Sequence, residues 1–301
     1  MTLQVATAHP WQARARRVTA DYFILTKPRV VLMVLVTTAV GFYLGSPGEV
    51  LALRLLHTLV GTALAAAGTI ALNQFLERDG DALMERTRRR PLPDGRMEPA
   101  QALVFGMGIT LGGILYLLLV VDPLTALVTA LTAGSYLFVY TPLKRRTTLC
   151  SLPGAVSGAL PPMAGWVAAC GELGYGAWVL FSILFLWQIP HSLAIAWIYR
   201  TDYARAGIRL LPVVEPDGAS TGRQVVTYAL ALLMVGLMPT LVGLTGPLYL
   251  SGALILGTGL LACGVILAVC RSVADARRLL YASLVYLPAL LVLMALDKAR
   301  I

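Results

Sequence analysis

The fold is indicated by residues 55–93, which read LLHTLVGTALAAAGTIALNQFLERDGDALMERTRRRPLP. The first part of this stretch is a mainly apolar run of about 20 residues, the length of an α-helix that spans a bilayer. The chain has 58% hydrophobic and only 13% charged residues, whereas a soluble domain has roughly 25% charged residues. Because the apolar residues run together instead of alternating with polar ones, the sequence predicts an all-α membrane protein and excludes a β-barrel.

Nine such runs predict a polytopic protein with a bundle of nine transmembrane helices. Their approximate ranges are 28–46, 55–76, 99–121, 122–141, 152–170, 176–198, 224–244, 247–269 and 279–297. If the N-terminus is cytoplasmic, all but three of the 24 Lys and Arg residues lie on the cytoplasmic side. The positive-inside rule therefore favours a cytoplasmic N-terminus, and the net charge of +9 needs no nucleic acid to explain it.

The domain organisation is simple. Residues 1–27 are interpreted as a basic cytoplasmic leader, with a transit peptide as the alternative, and residues 28–301 as one domain. Two long polar loops, about 77–98 and 199–223, both fall on the cytoplasmic side. Long loops in a compact bundle are usually functional, so these loops predict a cytoplasmic cap that holds the functional site.

The polar part of the opening stretch carries a regular set of oxygen ligands. Asn73, Glu77 and Asp81 recur every fourth residue and share one face if the helix continues. Carboxylate and amide oxygens suit Mg²⁺, which binds proteins through one or two carboxylates together with water and phosphate. Arg86 and Arg90, also four residues apart, would grip phosphate oxygens. The pattern predicts a diphosphate site.

Asp79 has two interpretations. It is either a further metal ligand on an unwound turn or a solvated residue at the end of the helix. The alternative for the whole run is a solvated, charged loop. That alternative is disfavoured because Asn73 and Glu77 end an apolar helix, where polar groups are costly.

The pattern N-x₃-[DE]-x₃-D, followed by M-x-R-T-x₂-R-P-L, resembles the UbiA superfamily of intramembrane prenyltransferases. The resemblance implies Mg²⁺-dependent binding of an isoprenyl diphosphate, within nine helices and below a cytoplasmic cap. Glu77 stands where many members have Asp, a change that preserves the ligand chemistry.

The second polar region narrows the resemblance to the branch whose members farnesylate protohaem IX. The similar segments are YTPLKR at 140–145, PPMAGW at 161–166, WQIPHS at 187–192, DYARAG at 202–207 and LPV at 211–213. Quinone-type members carry a second D-x₃-D repeat, whereas here Ala206 is the residue four after Asp202. Cys150, Pro153 and Gly154 differ from the residues that are common in this branch. These differences affect only the start of the fifth predicted helix.

This resemblance implies farnesyl diphosphate and protohaem IX as substrates and Mg²⁺ as the cofactor, with haem a substrate and not a cofactor. It also implies a bacterial inner membrane, with the mitochondrial inner membrane as the alternative. Contact with haem A synthase or with oxidase assembly is a further expectation of the same kind.

Several residues are candidates for substrate binding. His191 lies well inside an apolar run and is an axial or haem-orienting residue, a packing residue or a proton-handling one. Lys144 and Arg145 hold diphosphate or haem propionates, or they anchor the helix at the membrane surface. Trp187 and Trp197 pack either on a porphyrin or on their neighbours. The candidates for the cap are Tyr199, Asp202, Tyr203 and Arg205.

Two other functions are open to the sequence. One is a prenyltransferase that acts on a quinone precursor or another polycyclic acceptor. The other is a transporter or haem-delivery protein. Transporters usually place charged residues near the bilayer midplane, whereas the charged clusters here lie at the cytoplasmic end, which disfavours transport.

Overall fold

The computed structural model describes the backbone of residues 10–299 and the side chains of residues 17–299, and this part of the chain is almost entirely helical. The helices are α1 (Pro10–Thr26), α2 (Pro28–Gly45), α3 (Ala52–Asp81), α4 (Pro99–Val120), α5 (Pro123–Gly134), α6 (Thr141–Leu143), α7 (Ser151–Cys170), α8 (Tyr175–Ile198), α9 (Arg200–Arg205), α10 (Leu211–Val214), α11 (Ala219–Gly236), α12 (Met238–Leu241), α13 (Pro247–Cys270) and α14 (Val273–Leu296). A π-helical stretch, Ser135–Tyr140, joins α5 to α6. Within residues 10–299 there is no β-strand, only one isolated bridge between Thr245 and Lys298. The predicted all-α class is confirmed.

Eight segments of the described chain are long and apolar enough to cross a membrane. They are α2, α3, α4, α5 continued through α6, α8, α11 continued through α12, α13 and α14. Their bounds agree within a few residues with eight of the nine predicted runs. Of the predicted leader, residues 1–9 lie outside the described residues, and most of the remainder forms α1.

The ninth predicted run, 152–170, forms the 20-residue helix α7, but this helix is not among the eight segments that are apolar enough to cross a membrane. It packs against α2, α5 and α8. A Cβ atom on Gly41 of α2 or on Gly165 of α7 would overlap a backbone carbonyl group of the facing helix. Helix α7 is therefore held in the bundle by close packing at small residues, and not by a continuous apolar surface. The count of nine spans stays a prediction.

The bundle has a buried interior and an outer surface that is also apolar. Tyr249 and Tyr286 are fully buried among the helices α8, α11, α13 and α14. Leu119 and Val269, in contrast, are largely exposed on the outside. Apolar residues at such positions are expected of a surface that faces lipid.

Both predicted loops lie at the same end of the bundle, which we call the site end. There Arg205 of α9 pairs with Glu85 of the first loop, with Nη1 and Oε1 3.0 Å apart. At the opposite end, Lys298 donates hydrogen bonds to the carbonyl oxygens of Tyr43 and Ser46, at 2.7 and 2.8 Å. The fold thus brings the two polar regions of the sequence together.

Candidate active site

The acidic face of α3 is present as predicted. The helix is continuous from Ala52 to Asp81, so Asn73, Glu77 and Asp81 lie one above the other on the same face. Asn73 and Asp81 are buried, with exposed fractions of 2% and 1%. Because buried polar side chains need partners, the groups around this face define the site.

The helix ends at Asp81, so Arg86 and Arg90 lie in turns, and their spacing of four residues does not place them on one helical face. A series of turns follows, in which the Thr87 hydroxyl donates to Asp81 O at 2.8 Å and folds the chain back on the helix end. Further along, Pro91 disfavours helical conformation at Arg90, because proline cannot continue a helix and restricts the residue before it. The two arginines consequently have different surroundings.

Each carboxylate of the acidic face is paired with a cation from another part of the chain. Glu77 Oε1 lies 2.7 Å from Lys144 Nζ, and Asp81 Oδ2 lies 2.5 Å from Arg90 Nη1. These pairs use one oxygen of each carboxylate. Among the described hydrogen bonds and ion pairs, none involves Glu77 Oε2 or Asp81 Oδ1, so both remain open to a ligand.

Asn73 is oriented by the π-helical stretch that follows α5. Its Nδ2 donates to Thr141 Oγ1 at 3.0 Å, and the Thr141 hydroxyl donates to Tyr136 O at 2.8 Å. The Tyr136 hydroxyl lies 3.5 Å from Asn73 Oδ1. Tyr136 was not singled out from the sequence, and Thr141 was noted only as part of the YTPLKR segment, because the rare π-helix beside Asn73 was not predicted.

The residues of this face fit Mg²⁺. The set offers two carboxylates and one amide oxygen, and no group of three or more His, Cys, Asp and Glu side chains that could hold a metal occurs in the described part of the chain. Mg²⁺ needs no larger protein set, since water and phosphate oxygens complete its shell. Asp79 lies apart from it. Its side chain is 80% exposed and 3.7 Å from Arg78, as expected of a solvated residue at a helix end.

Arg86 belongs to the cap. Its guanidinium carbon lies 5.3 Å from the ring centre of Tyr199 and 6.0 Å from that of Tyr203, within reach of cation–π attraction. The residues predicted for the cap lie together in α9 and immediately before it: Tyr199, Asp202, Tyr203 and Arg205. Arg205 also lies 3.4 Å from Asp202. Residues of the two predicted loops therefore contact each other at the site end.

Two cavities open beside the acidic face. The smaller, about 350 Å³, is lined by charged groups that include Glu77, Asp81, Lys144 and Arg145. A Cβ atom on Gly80 would lie 2.7 Å from a guanidinium nitrogen of Arg145, so the glycine makes room for this arginine. Lys144 and Arg145, which the sequence offers as ligands of diphosphate or haem propionates or as surface anchors, thus line the same cavity as Glu77 and Asp81.

The larger cavity, about 370 Å³, is lined mostly by small residues of α3, α5, α7 and α8, and its surface is mainly apolar. Tyr136, Tyr140 and the cap residue Tyr203 also line it. Lys144 Nζ lies 4.3 Å from the ring centre of Tyr140, which places this ammonium between the charged cavity and the apolar one. An apolar cavity with a few polar groups at one side is typical of a small-molecule site.

His191 of α8 lines the larger cavity, and its ring is hydrogen-bonded to Ser283 of α14. Its Nδ1 lies 2.8 Å from Ser283 Oγ, while the Ser283 hydroxyl donates to Leu280 O at 2.7 Å. Since that hydroxyl proton is in use, the neutral tautomer with hydrogen on Nδ1 is favoured, and Nε2 keeps its lone pair.

The two tryptophans of α8 pack against protein. The Trp187 ring stacks on His191 with centroids 4.7 Å apart, and its Nε1 donates to Ser283 O at 2.9 Å. Trp197 is buried beneath Arg200, whose guanidinium carbon is 4.6 Å from the indole ring. Of the two interpretations, packing on neighbours is the one that these contacts favour.

A charged pocket next to an apolar cavity, within helices of membrane-spanning composition, suits a ligand with an anionic head and an apolar tail. Residues 34–292 match the sequence model of the UbiA prenyltransferase family, and the chain belongs to this family. It is a prenyltransferase, as the sequence motifs indicate.

Among similar proteins, the protoheme IX farnesyltransferase of Solibacter usitatus is 50% identical, over 92% of this chain and 98% of that protein. The protoheme IX farnesyltransferase of Koribacter versatilis is 42% identical, over 99% and 98% of the two chains. The resemblance stated from the motifs therefore extends along nearly the whole sequence.

Solved structures of low sequence identity share the fold. A digeranylgeranylglyceryl phosphate synthase superposes with a TM-score of 0.79 at 14% identity, over 93% of this chain and 98% of the other. A UbiA homologue from Archaeoglobus fulgidus, bound to GPP and Mg²⁺, gives a TM-score of 0.62 at 15% identity, over 91% and 99%. These likenesses confirm the helical UbiA architecture.

Proposed function

We propose that the protein transfers the farnesyl group of farnesyl diphosphate to a vinyl group of protohaem IX, giving haem O and pyrophosphate. Its family and the farnesyltransferases that it resembles over more than nine-tenths of its length support this proposal. The structural observation that carries it is the position of Glu77 and Asp81, each paired with a cation beside an apolar cavity.

Asn73, Glu77 and Asp81 are the residues that would hold Mg²⁺. When bound, the ion neutralises charge that builds on the leaving diphosphate. The carboxylate oxygens that face no partner, Glu77 Oε2 and Asp81 Oδ1, are the protein's contribution to this binding. The hydrogen bond from Asn73 to Thr141 holds the amide oxygen in a fixed direction.

The basic residues around the charged cavity bind and orient the diphosphate. Lys144 and Arg145 line this cavity. Arg90 of the first loop lies next to it, because it pairs with the lining residue Asp81. As the bond between the allylic C1 and oxygen breaks, its electron pair moves to the diphosphate. Fixed cations at this point favour the transition state because they need no reorganisation as the charge develops. Arg86 belongs to the cap that closes over the site.

The larger cavity receives the two apolar partners. The rings of Tyr136 and Tyr140 face it and stabilise positive charge on the farnesyl carbon chain. C1 then forms a bond to a vinyl carbon of the porphyrin, water adds to the resulting cation, and one proton of that water is released. His191, with Nε2 free, contacts or ligates the haem iron.

The site end is proposed to face the cytoplasm of a bacterial inner membrane. Most of the basic residues flank the helix ends at this side, as the positive-inside rule requires of cytoplasmic loops. Farnesyl diphosphate, whose head group is strongly charged, then reaches the charged cavity from water, while its tail enters between the helices.

Assay of the purified protein in lipid nanodiscs tests the function. Labelled farnesyl diphosphate, Mg²⁺ and haem are expected to give a farnesylated hydroxyethyl porphyrin and one pyrophosphate per product. Parallel reactions contain 4-hydroxybenzoate or 1,4-dihydroxy-2-naphthoate in place of haem. Transfer to one of these acceptors, without transfer to haem, would contradict the proposed acceptor. No pyrophosphate with any acceptor would contradict the proposed farnesyl transfer altogether.

A further inference from the structure

We propose that Gln188 of α8 binds the water molecule that adds to the porphyrin-side cation after farnesyl transfer. The inference rests on the proposed function and deepens it, since it names the group that directs the second step of that reaction. From the sequence, Gln188 is only one letter of the WQIPHS segment.

The Gln188 side-chain amide lies at the wall of the larger cavity, against Gly158 of α7. Both residues line this cavity. A Cβ atom on Gly158 would overlap Gln188 Oε1, so the glycine leaves room for the amide. The hydrogen bonds that Nε2 donates to Ala155 O and Leu184 O are long, at 3.4 and 3.3 Å. Among the described hydrogen bonds, Oε1 accepts none, and it remains open to a donor.

Two prolines of α7 add further acceptors at the same place. Pro161 and Pro162 lie inside the helix, and proline has no N–H group to donate to the carbonyl oxygen four residues earlier. The carbonyl groups of Ser157 and Gly158 therefore lack their usual helical donors. Both of these residues line the larger cavity. Within a membrane, carbonyl groups freed by proline are commonly bonded by water or by side chains.

A water molecule bound here is oriented by these acceptors. Buried water needs two to four polar partners. Gln188 Oε1 and the Gly158 carbonyl oxygen can accept both hydrogen atoms of one water molecule. The lone pairs of the water oxygen are then free to face the cavity. Water held in this way is ready to attack a cation in a cavity whose surface is otherwise mainly apolar.

The position of Gln188 along the cavity matches the second step of the reaction. Gly154 lies one turn before the glycine that faces Gln188, and a Cβ atom on Gly154 would be 2.8 Å from the Tyr140 ring. That ring is 4.3 Å from Lys144 Nζ, which pairs with Glu77. The amide is thus about one helical turn, about 5–6 Å, further along the cavity wall than Tyr140.

The chemistry of the step explains why this displacement is useful. The π electrons of the vinyl group form the bond to C1 of the farnesyl chain, and the positive charge moves to the carbon next to the porphyrin ring, two bonds from C1. A lone pair of the bound water forms the C–O bond, and the protonated alcohol gives one proton to solvent water. Without bound water, the same cation loses a proton from the neighbouring carbon. The product is then an alkene that is lighter by one water.

Two substitutions in the full-length protein, in lipid nanodiscs, test the inference. Gln188→Met keeps the length of the side chain and removes the amide. Gly158→Ala keeps the glutamine and displaces its amide with a methyl group. The matched control is Thr132→Val, which removes a hydroxyl group from the wall of the same cavity. That hydroxyl donates to Val128 O of its own helix at 2.8 Å.

Each protein is incubated with farnesyl diphosphate, Mg²⁺ and haem. The porphyrins are extracted without strong acid, which would itself remove water, and the two products are separated and weighed by mass spectrometry. Pyrophosphate release and the Tm are measured on the same samples. The ratio of alkene to hydroxyethyl product reports on the bound water, whereas the Tm reports on packing.

Gln188→Met and Gly158→Ala are expected to raise the ratio of alkene to hydroxyethyl product by about tenfold, the effect of one lost hydrogen bond on two competing steps. Both variants should still release pyrophosphate, because the C–O bond breaks at the charged cavity. Gln188→Glu, which keeps an oxygen acceptor, should restore the parent's products, and Thr132→Val should give them as well. A change in the identity of the product is a result that a packing role for Gln188 does not produce.

Two results would overturn the inference. One is the parent's product ratio in both Gln188→Met and Gly158→Ala, whatever their Tm, and if only one of these variants folds, its ratio decides. The other is an equal rise of the alkene in Thr132→Val. A parent protein that forms no farnesylated porphyrin would instead contradict the proposed function, on which the inference rests.

Discussion

His191 Nδ1 on α8 lies 2.8 Å from Ser283 Oγ on α14, two residues that are 92 positions apart in the chain. The Ser283 hydroxyl gives its own proton to Leu280 O, so it accepts the imidazole hydrogen. The second ring nitrogen is then unprotonated on the histidine that lines the larger cavity. This pairing gives His191 the chemical form of a haem ligand.

Replacement of His191 by Ala should impair the use of haem more than the use of farnesyl diphosphate. The KM for haem is expected to rise about tenfold, the equivalent of one lost ligand contact, and the Soret band of the complex should shift. Steady-state kinetics with each substrate varied, together with absorption spectra, measure this. Ser283→Ala should show a smaller change of the same kind, and Ser251→Ala, on the exposed face of α13, should show none. The parent's Soret band in His191→Ala would make the histidine a packing residue.

Asp81→Asn should reduce turnover by at least about a hundredfold, as expected for loss of a metal-binding carboxylate. The amide keeps the size of the side chain, so the protein should still fold. Pyrophosphate release at saturating Mg²⁺ measures the loss. Asp79→Asn is the control on the same helix end, and its activity should stay within about twofold because its side chain is 80% exposed. Equal activities in the two variants would remove Asp81 from the metal site.

Thr141→Val should weaken Mg²⁺ binding without removing any proposed ligand. The Asn73 amide would lose its acceptor in a buried place, which costs about 1–3 kcal/mol. A lower Tm and a higher Mg²⁺ concentration for half-maximal activity are expected. Thr141→Ser keeps the hydroxyl and should restore both. If Thr141→Val has the Mg²⁺ dependence of the parent, the orientation of Asn73 does not matter to the metal.

Arg90 should be far more sensitive to lysine than its neighbour Arg89. Arg90 is partly buried with Nη1 2.5 Å from Asp81 Oδ2, and an ammonium cannot contact this carboxylate and a diphosphate with the planar geometry of a guanidinium. We expect kcat/KM for farnesyl diphosphate to fall about tenfold or more in Arg90→Lys, by loss of one charge-assisted contact. Arg89 is exposed, so Arg89→Lys should match the parent. Comparable losses in the two variants would contradict the assigned role of Arg90.

Much of the fold follows from composition and local spacing. Long apolar runs form helices in a membrane because backbone groups in lipid must bond within the segment. Eight of the predicted runs became helices of spanning composition for this reason. Helix α7 does not reach the hydropathy of these eight segments. It is held instead by close packing at Gly41 of α2 and Gly165 of α7, a contact between two helices that local hydropathy does not show. Likewise, the turn after Asp81 was not predicted, because the spacing of Arg86 and Arg90 does not show that the Thr87 hydroxyl bonds to Asp81 O and folds the chain back.

The sequence by itself determined that Asn73, Glu77 and Asp81 share a face, because residues four apart in one helix meet whatever surrounds them. Only the tertiary structure decided which cations meet that face. Lys144 reaches Glu77 across 67 residues, and Arg90 reaches Asp81 from the turns that follow α3. Such encounters depend on how whole helices pack and how the first loop folds back, and no periodicity within a single segment contains that information.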